Sequence, residues 1–205
     1  MFKKLNRLNL ARFVSYMHVI SKILRFVSAK IQALFSFLRI IRLKMLYPGI
    51  RIDFKTVVEK NCRIVCIKGG NLIISNSKIS YGTCIVADTG STLKIDQSFV
   101  GRNCVITSKE KVIINKNCLI AEMVVIRDQD HIIDGTSDLS AQKFLQAPIF
   151  VEESAWIASK ATILKGVTIG NHAIVAASAV VTTNIPPFEI WGGIPAKFIK
   201  NTGSL

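Results

Sequence analysis

The chain has 205 residues, half of them apolar and 20% charged, with 27 Lys and Arg against 13 Asp and Glu for a formal charge of +14. That apolar fraction excludes wholesale disorder, and the length supports one domain with an appendage. Five cysteines, an odd number, with no secretory signal pattern, argue against a disulfide framework and for a reducing cytoplasm.

Residues 1–49 read as a basic arm. Eleven cationic side chains fall between residues 1 and 52 (Lys3, Lys4, Arg7, Arg12, Lys22, Arg25, Lys30, Arg39, Arg42, Lys44, Arg51) and no acid does, so subtraction leaves +3 for residues 53–205. From Ile20 the apolar residues Ile23, Leu24, Val27, Ile31, Leu34, Phe35, Leu38, Ile41 and Met45 recur at helical spacing, and Pro48-Gly49 ends the pattern. A second, shorter helical segment is expected over residues 2–16. Arg39, Arg42 and Lys44 interrupt the best apolar stretch, so a spanning helix is not expected. The stripe suits peripheral contact with an anionic membrane through residues 1–46. Packing on the body or on a neighbouring subunit is the alternative. No zinc spacing or base-stacking motif accompanies the charge, so nucleic acid is not the expected partner.

The body, residues 50–187, is a repeat. Six-residue frames read VEKNCR from Val58, ISYGTC from Ile79, VGRNCV from Val100, INKNCL from Ile114 and IAEMVV from Ile120. An unbroken block follows with IASKAT from Ile157, ILKGVT from Ile163, IGNHAI from Ile169, VAASAV from Val175 and VTTNIP from Val181. Neither a helix nor plain strand alternation has a period of six. Short strands joined by tight corners do, each side giving one inward aliphatic and one inward small residue, with coils stacked at the ~4.8 Å strand spacing. Cys62, Cys104 and Cys118 then take the small inward position that Thr83, Ala161, Ala173 or Ala179 takes elsewhere, with Cys84 one place beyond. They are expected to be structural rather than metal-binding or nucleophilic.

The period fails between Ile126 and Ile157, and residues 127–150 are expected to leave the stack as a loop. It carries His131, preceded by Asp128 and Asp130. Histidine is suited to move a proton near neutral pH, and a neighbouring carboxylate can hold its tautomer. The spacing does not choose between the two acids. His172, within IGNHAI, reads as a coil corner, and residues 188–205 as a C-terminal tail.

The frames, together with DQDH and the GGIPAK ending, resemble the hexapeptide-repeat acyltransferases, on the side of the galactoside, maltose and capsule polysaccharide O-acetyltransferases. The resemblance covers roughly residues 50–200. It implies an all-β fold, a left-handed parallel β-helix with an N-terminal basic amphipathic helical region and one extruded active-site loop, in a homotrimer whose sites lie between subunits. It implies acetyl-CoA as donor, no metal, a carbohydrate acceptor and His131 as general base. Carried onto this chain, the cofactor-binding positions are Trp156, Ser159, Ala177, Thr182, Thr183, Lys197 and Lys200, with Lys165 a further cation. Trp156 also approaches the acceptor. Thr183 stands where relatives commonly have Lys, AAS at 176–178 replaces a glycine-containing turn, and Gly101 replaces an acceptor-orienting Asn, a role then expected of Asn103. The expected activity is O-acetylation of a cell-surface polysaccharide or its precursor, in the cytoplasm or at the inner membrane surface. N-acetylation of a nucleotide-linked amino sugar and a non-catalytic scaffold are the alternatives.

Overall fold

Corner chemistry explains the architecture. Asn76, Gln97, Asn117, Ser154 and His172 have φ between 42° and 60° at one corner of successive coils, and Asn61, Asn103, Met123, Lys160 and Ser178 adopt φ of 54–61° at the next. A left-handed residue turns the chain tightly between two strands, and Asn tolerates it better than most side chains. His172 therefore takes the corner its frame assigns, stacked on Phe188 with ring centroids 5.0 Å apart.

The computed structural model describes residues 2–132 and 144–203. After α1 (Phe2–Leu46), six three-sided coils follow. The first is β1 (Ile50–Ile52), β2 (Val57–Val58) and β3 (Arg63–Cys66); the second is β4 (Asn71–Ser75), β5 (Lys78–Ile79) and β6 (Cys84–Ala87). The third is β7 (Thr92–Asp96), β8 (Phe99–Val100) and β9 (Val105–Ser108); the fourth is β10 (Lys111–Ile114), β11 (Leu119–Ile120) and β12 (Val125–Arg127). A ribbon, β13 (Gln129–His131) and β14 (Phe144–Gln146), interrupts the stack. It resumes with β15 (Ile149–Val151), β16 (Trp156–Ile157) and β17 (Thr162–Ile163), then β18 (Thr168–Ile169), β19 (Ile174–Val175) and β20 (Val180–Val181). The last elements, β21 (Glu189–Gly192) and β22 (Lys197–Asn201), form an antiparallel pair on β19.

Each side of the coil is a parallel sheet, and the fold is a left-handed β-helix. On the second side Val58 pairs with Ile79, Ile79 with Val100, Val100 with Ile120, Ile120 with Ile157 and Ile157 with Val175, all of them buried. Stacking like residues over one another makes a continuous core that no single coil could bury. Full burial of each aliphatic contributes about 1.5–3 kcal/mol.

The registers depart from a strict six-residue period. Val100 follows its partner Ile79 by 21 positions, whereas Val175 follows Ile157 by 18. The extra residues of the early coils sit at corners turned by Gly69 and Gly90, with φ of 88° and 73°. The stack also resumes at Ile149, eight residues before the block that the frames identify. Residues 133–143 of the expected loop lie outside the described residues.

The inward small positions form two ladders. In one, the N–H groups of Ser77, Ser98 and Cys118 donate to the hydroxyls of Thr56, Ser77 and Ser98 at 3.3, 3.1 and 3.0 Å. Thr83, Cys104, Val124, Ala161 and Ala179 are buried along the other. Burial pushes the Cys104 and Cys118 thiols up to about 11. A thiol so held is a weak nucleophile at neutral pH.

The arm is one helix rather than two segments, because neither Gly nor Pro separates residue 16 from residue 20. Its last turns cover the open edge of the first coil. Ser36 and Ile40 are buried there, the Val58 N–H donates to Ser36 Oγ at 2.8 Å, and Arg39 donates to the Val58 carbonyl at 3.0 Å. Edge groups that no coil pairs are thereby satisfied. The other end is closed by the 193–196 turn, where the Ala196 N–H donates to the Val180 carbonyl at 2.8 Å.

Candidate active site

The stack breaks where β12 ends, and one carboxylate holds the break in place. Asp128 is fully buried. Its Oδ1 accepts the N–H of Lys109 at 2.8 Å, and its Oδ2 accepts the N–H of Glu110 at 2.9 Å, the N–H of Lys111 at 2.8 Å and the Ser108 hydroxyl at 2.9 Å. Of the two acids offered for orienting the imidazole, Asp128 is therefore committed to the corner of the coil beneath. It is the anchor of the loop. A carboxylate in a cradle of N–H groups resists replacement by any neutral side chain.

From that anchor the ribbon rises, with Gln129 opposite Gln146, Asp130 opposite Leu145 and His131 opposite Phe144. Asp130 is exposed and its Oδ2 receives the Lys165 ammonium at 2.6 Å, tying the ribbon to the next corner. Gln129 Nε2 donates to Thr107 Oγ1 at 3.1 Å. These ties leave His131 at the end of a braced strand, exposed in the single chain. Its ring lies 4.5 Å from that of Phe144. Lys109 Nζ sits 4.1 Å from the centroid of the same phenyl ring and pairs with Asp88. The Lys109 ammonium holds the Asp88 carboxyl below its ordinary range. Phe144 and Lys109 are additions that sequence reasoning misses, since their approach to His131 depends on the ribbon register.

The remaining expected residues fall on four parts of the prism. Thr182 and Thr183 are exposed at the corner after β20, directly along the edge that carries Lys165 and the ribbon. Ser159 and Ala177 lie one above the other on a different edge, where the Ser178 N–H donates to the Ser159 carbonyl at 2.9 Å, and Asn103 lies lower on that same edge. Trp156 is 44% exposed on the second side, the sheet that leads into the Ser159 edge, stacked in register between Leu119 and Ile174. Lys197 and Lys200 are exposed on β22 at the end of the stack. One chain thus carries His131, Thr182, Thr183 and Lys165 along one edge, and Asn103, Ser159 and Ala177 along another. Lys165, offered as a phosphate-binding cation, is already paired with Asp130.

Gly101 explains its own departure from the expected pattern. A Cβ there would meet the main-chain carbon of Ala121 and nitrogen of Glu122 at 2.6 Å. Coil packing requires glycine, and no acceptor-binding side chain fits. Among the described residues no group of three or more His, Cys, Asp or Glu is placed to hold a metal. A cavity of about 580 Å³, bounded by Phe35, Arg39, Lys60, Tyr81 and Arg102, lies against the first three coils rather than beside the ribbon.

Residues 148–183 match the family described as bacterial transferase hexapeptide (six repeats). Galactoside O-acetyltransferase of Escherichia coli (strain K12) is 30% identical over 112 residues, 54% of this chain and 55% of that protein. A putative lipopolysaccharide biosynthesis O-acetyl transferase of the same strain is 29% identical over 161 residues, covering 70% of this chain and 81% of that one. A solved hexapeptide-repeat acetyltransferase from Vibrio cholerae O1 biovar eltor, complexed with acetyl coenzyme A, superposes with a TM-score of 0.57 at 26% identity. That match covers 66% of this chain and 73% of the other. The chain spans about half the length of several curated relatives it matches: 39%, 58% and 55%.

Proposed function

We propose, from the transferase-hexapeptide match over residues 148–183 and the left-handed β-helix that carries it, that this chain is a hexapeptide-repeat acyltransferase that transfers an acetyl group from acetyl-CoA to a sugar hydroxyl. The observation that carries the reading is the braced ribbon: Asp128 fixes its root, Asp130 ties its flank to Lys165, and His131 stands exposed at its end.

In this reading His131 takes the proton from the acceptor hydroxyl as the oxygen attacks the thioester carbonyl. The carbon–sulfur bond breaks, and the same proton passes to the departing thiolate. No acyl-enzyme forms, which agrees with thiols that burial keeps protonated. Pantetheine would lie along the edge of Ser159 and Ala177, whose small side chains leave main-chain groups open. Trp156 would border it, and Lys197 and Lys200 would meet the nucleotide phosphates as point charges.

Ser159 and Ala177 occupy a different edge of the prism from His131. A site using both sets would be composed where two copies meet, as in the homotrimer with sites between subunits that the family resemblance implies. Asn103, from the second edge, would then face the acceptor. The acceptor class in this reading is a cell-surface or capsule polysaccharide or its precursor; of the relatives that match, one is named for lipopolysaccharide biosynthesis and one for galactosides. An acceptor made at the inner face of a membrane would suit a cytoplasmic chain that reaches lipid through residues 1–46.

The test is His131→Asn with release of free CoA measured on a panel of glycans. A fall of about 10²–10⁴-fold in kcat with an unchanged melting temperature is expected. An undiminished rate in the folded variant would remove His131 from the chemistry.

A further inference from the structure

The apolar stripe of α1 has no partner among the described residues. Ile20, Leu24, Val27, Ile31, Leu34 and Leu38 are between 46% and 62% exposed. The stripe that meets the body is a different one, Ser36, Ile40, Leu43 and Tyr47, of which Ser36 and Ile40 are buried and the other two half-buried. At about 100° per residue the two stripes lie on opposite sides of the helix. The helix is held to the first coil by its back and turns its apolar front away from the protein. Every side chain from Lys22 to Phe35 is exposed.

Charge identifies what the front meets. The helix contains no acid, and Lys22, Arg25, Lys30, Arg42 and Lys44 are all exposed around it. Lys30 and Arg42 border the apolar stripe on its two sides, where long stems can lie along it while the charges reach outward. Among the described residues no helix is long and apolar enough to cross a membrane. The stripe also has the alternating four-and-three spacing of a coiled-coil seam. In a coil of these helices, however, no acidic residue would flank the seam to pair with Lys30, Arg42 or Lys44. An anionic bilayer supplies both the apolar phase and the counter-charge.

We propose that α1 lies flat on an anionic lipid surface, its Ile20–Leu38 stripe at the boundary between headgroups and chains, with the first coil of the β-helix facing the lipid. This deepens the membrane contact named above and rests on α1 alone, so acetyl transfer and lipid binding can fail separately.

The experiment floats the full-length protein with vesicles of phosphatidylcholine alone, or of phosphatidylcholine with phosphatidylglycerol, at low and high salt. Leu34→Asp/Leu38→Asp serves as the variant, with melting temperature, light scattering and CoA release on a soluble acceptor measured in parallel. The expected result is flotation with the anionic vesicles only, weakened by salt, and reduced about tenfold or more in the variant at unchanged melting temperature. Failure of the wild-type chain to float on anionic vesicles would overturn the proposal, as would undiminished flotation of the variant. Loss of a larger oligomer in the variant, without vesicle binding by the wild type, would assign the stripe to a second copy and equally reject lipid.

Discussion

The main-chain N–H of Lys109 points at the buried carboxylate of Asp128, 2.8 Å from Oδ1, across a coil boundary. That contact, repeated at Glu110 and Lys111, makes the departure of the loop from the stack a fixed geometry. It also separates two adjacent acids that look alike in DQDH.

Asp128→Asn replaces one acceptor oxygen by a donor facing N–H groups. The expected loss is about 2 kcal/mol, the scale of a hydrogen bond to a charged group, or about 4–8 °C in Tm for a chain of this size. Amide hydrogen exchange should quicken at Glu110 and Lys111. Unchanged protection there would mean the carboxylate is not the anchor.

Asp130→Asn should behave differently. Its ion pair with Lys165 is half-exposed on the Asp130 side, with side-chain exposures of 47% and 25%. A double-mutant cycle with Lys165→Met is expected to give a coupling below about 1 kcal/mol, as exposed pairs do. Any larger effect should appear in kcat, through the position of His131, rather than in thermal stability.

Gly101→Asn tests whether the acceptor-orienting Asn can be put back. With main-chain atoms of Ala121 and Glu122 2.6 Å from the new Cβ, the coil must shift, at a cost of about 1–3 kcal/mol for overpacking. Thermal melting should register that loss, and turnover should not rise. A stable, faster variant would show that the corner has room after all.

Ser36→Ala removes the acceptor of the Val58 N–H at the edge of the first coil. A buried donor left unsatisfied costs about 1–3 kcal/mol. The edge strand should then exchange its Val58 amide faster, while the ribbon amides far up the stack keep their protection.

The buried cysteines give a signed pH dependence. Burial raises Cys104 and Cys118 to about 11 in the folded chain, above the ~8.5 of a free thiol. Between those values the unfolded chain has lost protons that the folded chain keeps, so stability is full below about pH 8.5 and falls as pH rises towards 11. Chemical denaturation of the wild type and of Cys104→Ala/Cys118→Ala across that range should show the shallower decline in the variant. Parallel pH curves would contradict the assignment.

The inward aliphatics, the corner role of His172 and the buried small thiols were legible in the sequence because a stacked coil repeats one environment. Each frame then reports the same constraint many times, and Ile79, Val100 and Ile120 read as equivalent before any coordinates. The extra residues at the Gly69 and Gly90 corners escaped that logic, since a longer corner changes the count without changing the inward pattern. The resumption of the stack at Ile149 was hidden by the polar segment before it.

What the sequence determined by itself is the periodic part: the three-sided stack, its break near His131, and a basic arm with one apolar stripe. Pairwise geometry across the stack decided the rest. Only there does Asp128 separate from Asp130, Phe144 come beside His131, and Gly101 lose its room for a side chain. The same is true of the arm, whose stripe is visible in the residues but whose direction is set by Ser36 and Ile40 docking on the opposite side. A periodic pattern reports which faces are apolar, because burial acts on each residue alone. Which residues meet depends on register between distant segments, a property of the folded chain.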